Sequence, residues 1–209
     1  RDPEMSRGLG DVYKRQRYAY LVGIDRNPSN YSYDEVICSG EAAAKMAVEW
    51  LIALGHKKIA YIGDCTYESR YVGYYQTLLT HHIPFDYRYV HPSTQTEEEG
   101  NRIMNDILKE EDPPTAIFCA NDCTALGVLR SLKKGRKKNY FPSVIAIDNI
   151  RKSAKTSPML TTIDIPKQEL AHFALLLLLD QQKKAHKECV RIELPCRLIE
   201  RDSCTYAPS

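Results

Sequence analysis

The chain has 209 residues, of which 43% are hydrophobic, and this is enough for one large domain or two small lobes with a buried core. Its 29 basic and 27 acidic side chains leave a formal net charge of +2. Because the charges nearly balance, the overall charge would not by itself attract a nucleic acid, an anionic membrane or an acidic substrate.

The first 16 residues, RDPEMSRGLGDVYKRQ, differ in composition from everything that follows. They are polar and charged where a secretory signal peptide would carry an apolar centre. Two interpretations stay open, a non-native leader translated from vector or adapter sequence and a disordered native linker. We therefore exclude residues 1–16 from reasoning about the fold. Because the next segment begins abruptly as a strand, we expect the chain to be truncated at its start.

Seven cysteines are present, and none forms a C-x-x-C pair. Several lie in apolar runs where a thiol behaves as a small hydrophobe, so we interpret them as reduced residues of a cytoplasmic protein rather than disulfides or a metal site. Cys119 and Cys123 are four residues apart but straddle a strand-to-helix junction, which makes zinc ligation a weak alternative. The full set is Cys38, Cys65, Cys119, Cys123, Cys189, Cys196 and Cys204.

After residue 17, short apolar runs alternate with helix-length amphipathic stretches. Alternation of this kind predicts βαβ units and a parallel sheet, and nearly continuous apolar strands indicate helices on both faces. No apolar run approaches the roughly 20 residues of a membrane-spanning helix. The predicted strands lie at YAYLVGI, KIAYIG, AIFCA, SVIAI and LTTIDIP, and the predicted helices cover Glu41–Leu54, Ser69–His81, Thr96 to about Lys109, Asp122–Lys134 and Gln168–Ala185.

Local signals mark where some of these helices begin and end. Gly55 supplies a stop signal for the first helix. Thr96 stands three residues before Glu99, which is the spacing of a capping box. The basic run KKGRKK, residues 133–138, is expected to be a solvated helix end and turn, with a phosphate contact as the alternative.

Polar side chains follow three of the predicted strands, at the edge where open α/β sheets bind ligands. Arg70 follows the second strand, Asn121 the third and Asp148 the fourth. An arginine forks onto a pair of oxygens, an asparagine both donates and accepts, and an aspartate accepts from two hydroxyls. This set predicts a site for a polyhydroxylated or otherwise polar small molecule.

Each candidate also has a purely structural interpretation. Asp122 stands where a helix N-cap belongs, so we expect it to cap the helix while Asn121 faces the ligand. Asp148 and Asn149 fit capping and ligand binding equally well, and Arg70 could instead lie on the surface of the first turn of its helix. We therefore place Asp122 and Asn149 in a helix-capping or secondary role.

Motifs of catalysis are missing from the sequence. It has no G-x-S-x-G elbow, no H-E-x-x-H pair and no G-x-x-x-x-G-K-[ST] loop. Its six histidines are scattered, and no nucleophile has a base at a suggestive spacing. We therefore expect neither an enzyme nor a metal or other cofactor.

Seven segments carry a resemblance to a known family. They are VGIDR, LIALGHKKIAYIG, SRYVGY, PTAIFCANDCTALGVLRSL, VIAIDNI, PMLTTIDIP and LPCRLIERDSC, and in this order they resemble the effector-binding region of the lactose-repressor/galactose-repressor (LacI/GalR) transcription regulators. The resemblance runs over residues 18–204. One departure is Ala146, where the family usually has a glycine two residues before the aspartate, and its methyl group narrows the approach near Asp148.

The resemblance implies a type I periplasmic-binding-protein-like α/β fold, with two lobes and a small effector in the cleft between them. It implies that the first lobe and the DNA-binding head are largely missing. Residues 17–35 and 163–187 would be the remnant of the first lobe, and residues 36–162 and 188–209 the second lobe. By position in the family's motifs, Arg70, Asn121 and Asp148 would contact the effector.

The function implied is that of a cytoplasmic DNA-binding transcription regulator, most often a repressor. Its partners would be a small-molecule effector (a sugar or sugar phosphate, with a nucleobase second), operator DNA through a helix-turn-helix head absent from this chain, and a second or further copies in a homodimer or homotetramer. No membrane is implied. The alternative is a periplasmic sugar-binding protein of an ABC uptake system, which shares the fold.

Overall fold

The computed structural model describes residues 20–24, 33–66, 68–135 and 140–208. The predicted leader at residues 1–16 and the second half of the basic run, residues 136–138, lie outside the described residues. The chain divides into two compact units. The first contains the described residues up to Ser39 together with Pro166–Pro195, and the second contains Gly40–Ile165 and Cys196–Ser209.

The second unit is built on a six-stranded sheet. Its strand order is β4-β3-β5-β6-β7-β9, and every neighbouring pair is parallel except β7 with β9. The antiparallel β9 is a difference from the parallel sheet that the sequence predicts. The strands are β3 (Ile59–Gly63), β4 (Val90–Pro92), β5 (Ala116–Cys119), β6 (Ser143–Ile147), β7 (Thr161–Asp164) and β9 (Arg197–Ile199).

Four helices belong to this unit, and the sequence predicts their positions closely. They are α1 (Gly40–Ala53), α2 (Ser69–Thr80), α3 (Glu97–Ile107) and α4 (Asp122–Lys134). Residues of β3, β5 and β6 are fully buried, as expected for strands that helices cover on both faces.

Gly55 and Thr96, which the sequence predicts at a helix end and a helix start, have these positions in the structure. Gly55 has φ +90, a left-handed conformation that glycine adopts without strain, and it follows the end of α1. The Thr96 hydroxyl accepts a hydrogen bond from the Glu99 amide at 3.2 Å, so Thr96 is the N-cap of α3. The helix α3 ends at Ile107, two residues before the predicted Lys109.

Glycines allow α3 and α4 to pack with their backbones in contact. A Cβ atom at Gly100 would lie 2.1 Å from the Thr124 carbonyl oxygen, and one at Gly127 would lie 2.0 Å from the Glu97 carbonyl oxygen. Because no side chain fits in these gaps, both positions require glycine. The contact fixes where α4 starts, and α4 starts at the sheet edge that carries the candidate site residues.

In its described residues, the first unit has a three-stranded parallel sheet and one helix. The strands β1 (Val22–Ile24), β2 (Asp34–Ile37) and β8 (Arg191–Glu193) pair in the order β1-β2-β8, and α5 (Lys167–Lys183) packs on β1 and β2. The sequence-based division placed residues 188–209 together in the second lobe. In the structure β8 pairs with β2 whereas β9 pairs with β7, so the boundary falls at Pro195 and Cys196.

The helix α5 is not buried all round. Leu170, Ala174 and Leu177 are buried, while Leu175, Leu176 and Leu179 are exposed. The structure therefore buries only one face of the apolar run over residues 173–179. None of the helices in the described parts of the chain has the length and apolar character needed to cross a membrane.

Buried Asp34 organises the first unit at the start of β2. Its carboxylate accepts hydrogen bonds from the Gln181 amide at 2.6 Å and from the Val190 backbone N–H at 2.8 Å. His186 lies between Asp180, at 2.5 Å, and Asp34, at 2.8 Å. Hydrogen bonds to these two carboxylates raise the pKa of His186. This cluster ties the end of α5 to β2 and to the segment that leads into β8.

Buried His56 has the same organising role in the second unit. Its ring joins the beginnings of β5 and β6, because Nδ1 lies 3.0 Å from the Thr115 hydroxyl and Nε2 lies 2.9 Å from the Ser143 hydroxyl. Nε2 also lies 3.0 Å from the Thr205 carbonyl oxygen, which can only accept, so we place the proton of the neutral ring on Nε2. Burial lowers the pKa of His56.

We predict that acidification destabilises the second unit through His56. Its pKa in the unfolded chain is near 6.5 and its folded pKa is lower, so below about pH 6.5 the unfolded state binds a proton that the folded state excludes. The free energy of unfolding then falls. Between about pH 7.5 and about pH 5.5, the free energy of unfolding measured with urea should fall less in His56→Gln than in the wild type, because glutamine does not titrate.

His82→Asn is the matched control. His82 is exposed in the same unit and has φ +54, a conformation that asparagine tolerates. The control should keep the wild-type pH dependence. An equal loss of stability on acidification in His56→Gln and the wild type would contradict the assignment.

Candidate functional site

The carboxyl ends of β3, β5 and β6 lie side by side in the second unit, because these strands are parallel and β5 pairs with both others. The polar residues predicted from the sequence follow these strand ends. Arg70 lies in the first turn of α2, Asn121 precedes α4, and Asp148 directly follows β6. The topology therefore brings all three predicted residues to one edge of one sheet.

Arg70 joins two of these strand ends. Its Nη1 donates to the Ala120 carbonyl oxygen at 2.6 Å, and its Nη2 lies 3.4 Å from Oδ1 of Asp148. Its Nε lies 3.8 Å from the Glu68 carboxylate. The Arg70 side chain is only 12% exposed, so it is not the surface residue of the alternative interpretation. The structure brings Arg70 and Asp148 together as a charged pair at the sheet edge.

The backbone that carries Asp148 is strained. Asp148 has φ +117, which is strained for a residue other than glycine, whereas Asn149 has φ +46, a left-handed conformation that asparagine tolerates. The conformation of Asp148 costs of order 1–3 kcal/mol and persists only where the surroundings hold it. One restraint is the hydrogen bond from the Asp148 N–H to the Ile163 carbonyl oxygen in β7, at 2.9 Å.

Asn149 supplies further restraints through its side chain. Its Nδ2 donates to Oδ1 of Asp164 at 2.8 Å, and its Oδ1 accepts from Nη2 of Arg201 at 2.7 Å. The predicted capping role of Asn149 is wrong, because the short 3-10 turn Ser153–Lys155 has Lys152 as its N-cap. Asn149 instead fastens the turn to the end of β7 and to the segment after β9.

The roles predicted for Asn121 and Asp122 require a correction. Asn121 has extended backbone angles and is the N-cap of α4, and its Oδ1 accepts from the Thr124 N–H at 2.8 Å. The expectation that Asp122 caps the helix is therefore wrong. Both residue types are good N-caps, and the helix begins at Asp122, one residue earlier than that expectation requires.

The amide nitrogen of Asn121 is also engaged. It donates to the backbone oxygen of Gln95 at 3.1 Å and to its Oε1 at 3.3 Å. Gln95 has φ +63 and lies in the loop between β4 and α3, and the sequence analysis did not identify it. It is 26 positions from Asn121 along the chain, and no local pattern marks it.

Asp122 is fully buried and is the acceptor of three hydrogen bonds. Oδ2 accepts from the Ile150 N–H at 2.8 Å and from the Ser153 hydroxyl at 2.5 Å, and Oδ1 accepts from the Thr162 hydroxyl at 2.6 Å. Burial raises the pKa of Asp122, and these hydrogen bonds act in the opposite direction. The carboxylate therefore joins α4, β7 and the turn that carries Asp148.

The chemistry available at this edge is that of binding rather than catalysis. Cys123 is exposed in the first turn of α4, but burial and the carboxylates of Asp148 and Asp122 raise its pKa, which disfavours the reactive thiolate. Burial also raises the pKa of Cys65 to about 11. Within the described ranges, no group of three or more His, Cys, Asp and Glu side chains could hold a metal ion.

Comparison with known proteins gives relatives for this arrangement. A profile described as a periplasmic binding protein-like domain matches residues 48–204. The repressor PurR of Mannheimia succiniciproducens is 33% identical over 200 residues, which cover 92% of this chain and 59% of PurR. The repressor CytR of Escherichia coli K12 is 38% identical over 173 residues, which cover 79% of this chain and 50% of CytR.

Comparison with solved structures also finds regulators that share the fold of this chain. A LacI family transcriptional regulator from Enterococcus faecium with bound ribose matches with a TM-score of 0.82 and 28% identity, covering 93% of this chain and 74% of that one. A regulator from Bacillus cereus subsp. cytotoxis matches with a TM-score of 0.84 and 27% identity, covering 94% and 72%.

The chain spans between half and three fifths of the length of the two repressors. The matched profile covers most of the second unit, including the sheet edge where Arg70 and Asp148 meet. The chain therefore belongs to the periplasmic binding protein-like family, as an effector-binding domain of the LacI/GalR type.

Proposed function

We propose that the chain is the effector-binding and dimerisation region of a DNA-binding transcription regulator that acts as a repressor. The observation that carries the proposal is the Arg70–Asp148 pair at the carboxyl edge of the sheet, in a chain whose relatives are named as repressors. The absence of a paired nucleophile and base from the sequence agrees with binding and not catalysis. We place the protein in the cytoplasm, where repressors bind DNA.

The effector is a polyhydroxylated or otherwise polar small molecule, a sugar or sugar phosphate in the first place and a nucleobase in the second. The carboxylate of Asp148 can accept hydrogen bonds from two neighbouring hydroxyls, and the guanidinium of Arg70 can donate to the ligand oxygens beside them. The related regulator from Enterococcus faecium contains bound ribose, which supports a ligand of this class. Asn121 would contact the effector from its position between Gln95 and α4.

Effector binding regulates the protein only through a difference in affinity between two conformations of the regulator. Operator DNA would be bound by a helix-turn-helix head in another part of the protein. A homodimer or homotetramer would match the symmetry of such operators.

The alternative is a periplasmic sugar-binding protein of an ABC uptake system, since the fold is shared. The repressor names of the relatives favour the regulator. The upstream coding sequence discriminates between them, because a regulator has a helix-turn-helix segment there and an uptake protein has a signal peptide.

We predict that Asp148→Asn weakens binding of a ribose-containing ligand by about tenfold or more, because a hydrogen bond to a charged group contributes roughly 1.5–3 kcal/mol. The substitution keeps the size of the side chain and removes its charge. Isothermal titration of the full-length protein with D-ribose and with a ribonucleoside measures the effect.

The matched control is Asp106→Asn, which changes an exposed aspartate of α3 that pairs with Arg102 and Lys109. Its affinity should equal that of the wild type. A wild type that binds neither ligand would refute the ribose class, and equal affinities in the wild type and Asp148→Asn would refute the site.

We predict that Asn121→Ser removes the effector response and leaves operator binding intact. Serine can still cap α4 through its hydroxyl, so the helix is kept, but it lacks the amide N–H groups of asparagine. Operator affinity measured with and without effector should become the same in this variant. An unchanged response in both Asn121→Ser and Asp148→Asn would exclude this edge as the effector site.

A further inference from the structure

Burying a carboxylate in a protein core costs free energy when no cation is in contact with it, and none is described here. Asp122 is such a group, since it is 0% exposed and its described hydrogen-bond donors are two hydroxyls and one backbone N–H. It does not cap its helix, because Asn121 does. Helix capping does not explain why a charged side chain is buried there, and besides its three hydrogen-bond donors only the positive charge of Arg201 is described as favouring the carboxylate form.

The hydrogen-bond donors to Asp122 show which segments of the chain its carboxylate holds in place. Ile150 and Ser153 lie in the segment that follows Asp148 and Asn149, and Thr162 lies in β7. The Thr162 hydroxyl oxygen also accepts from the Asn149 N–H at 3.3 Å. Asp122 therefore restrains the backbone on both sides of Asn149. It accepts a hydrogen bond directly from the Ile150 N–H, and it is linked to the Asn149 N–H through the Thr162 hydroxyl.

This segment is the part of the edge that needs restraint. Asp148 has a strained positive φ, and this strain is released if the turn is free to relax. Relaxation would move the Asp148 carboxylate away from the Nη2 of Arg70, which lies at 3.4 Å in the structure. The orientation of the carboxylate thus depends on groups behind it, of which Asp122, Ser153 and Thr162 are fully buried.

We propose that Asp122 is a positioning residue for effector recognition, whose buried carboxylate holds the strained turn that orients Asp148. The role in recognition rests on the proposed function. It differs from that proposal because Asp122 acts from inside the core through the Ile150 N–H, the Ser153 hydroxyl and the Thr162 hydroxyl.

The first test needs no ligand and uses backbone hydrogen exchange of the full-length protein. In Asp122→Asn, one carboxylate oxygen is replaced by an NH₂ group that cannot accept, so the three donors can no longer all be satisfied. Exchange should accelerate over residues 148–153 and stay unchanged in β3 and β5. Faster exchange throughout the second unit would mean that Asp122 only stabilises the fold, and unchanged exchange would mean that it does not hold the turn.

Ser153→Ala is the milder variant in case Asp122→Asn does not fold. It removes one of the three donors and keeps the carboxylate. Exchange should accelerate over the same residues by a smaller factor. Asp106→Asn, on the surface of α3, should leave the exchange of these residues unchanged.

The second test separates positioning from general stability by a double-mutant cycle on D-ribose affinity. Asp122→Asn should weaken binding by about tenfold in the wild-type background and by less than about twofold in the Asp148→Asn background, because it acts through Asp148. Equal losses in the two backgrounds, or no loss in the wild-type background, would overturn the proposal. A wild type that does not bind D-ribose would refute the ribose class alone, and the exchange result would then decide whether Asp122 holds the turn.

Discussion

The buried carboxylate of Asp122 is the constraint on which the geometry of the candidate site depends. It lies at the start of α4 and is the acceptor of hydrogen bonds from the turn after β6 and from β7. Removing a charge from water is costly, and satisfied hydrogen bonds are what make it tolerable. Since Asp122 is fixed by α4 and one of its donors, Thr162, by β7, the edge takes its shape from the core and not from the loops alone.

Arg70 completes this arrangement from the other side. Its guanidinium donates to the Ala120 carbonyl oxygen at the end of β5 and approaches Asp148 at the end of β6. A ligand that meets these groups finds them already oriented, so less conformational entropy is lost on binding. The 3.4 Å separation of Arg70 and Asp148 is long for a charged hydrogen bond, and ligand oxygens can compete for both partners.

Much of the second unit could be predicted from sequence, because its signals are local. The bounds predicted for α4, Asp122–Lys134, are those of the structure, and Thr96 caps α3 as its spacing to Glu99 indicates. The assignment of the helix cap to Asp122 failed because asparagine and aspartate can both cap a helix, and only the backbone angles distinguish Asn121 from Asp122 as the cap. Gln95 and Thr162 were missed because they meet Asn121 and Asp122 through the sheet, from 26 and 40 positions away.

Two polar clusters, one around the partly exposed His186 and one around the buried His56, give the two units opposite responses to protonation. The ring of His186 lies between two carboxylates and its pKa is raised, so its contribution to the stability of the first unit is full below pH 6.5 and is lost as pH rises through the raised value. The ring of His56 contacts two hydroxyls and a carbonyl oxygen, and burial lowers its pKa. Its contribution is present above pH 6.5 and is lost on acidification. The sign of each effect follows from the partners of the ring, because carboxylates favour the imidazolium whereas a buried site with neutral partners favours the neutral ring.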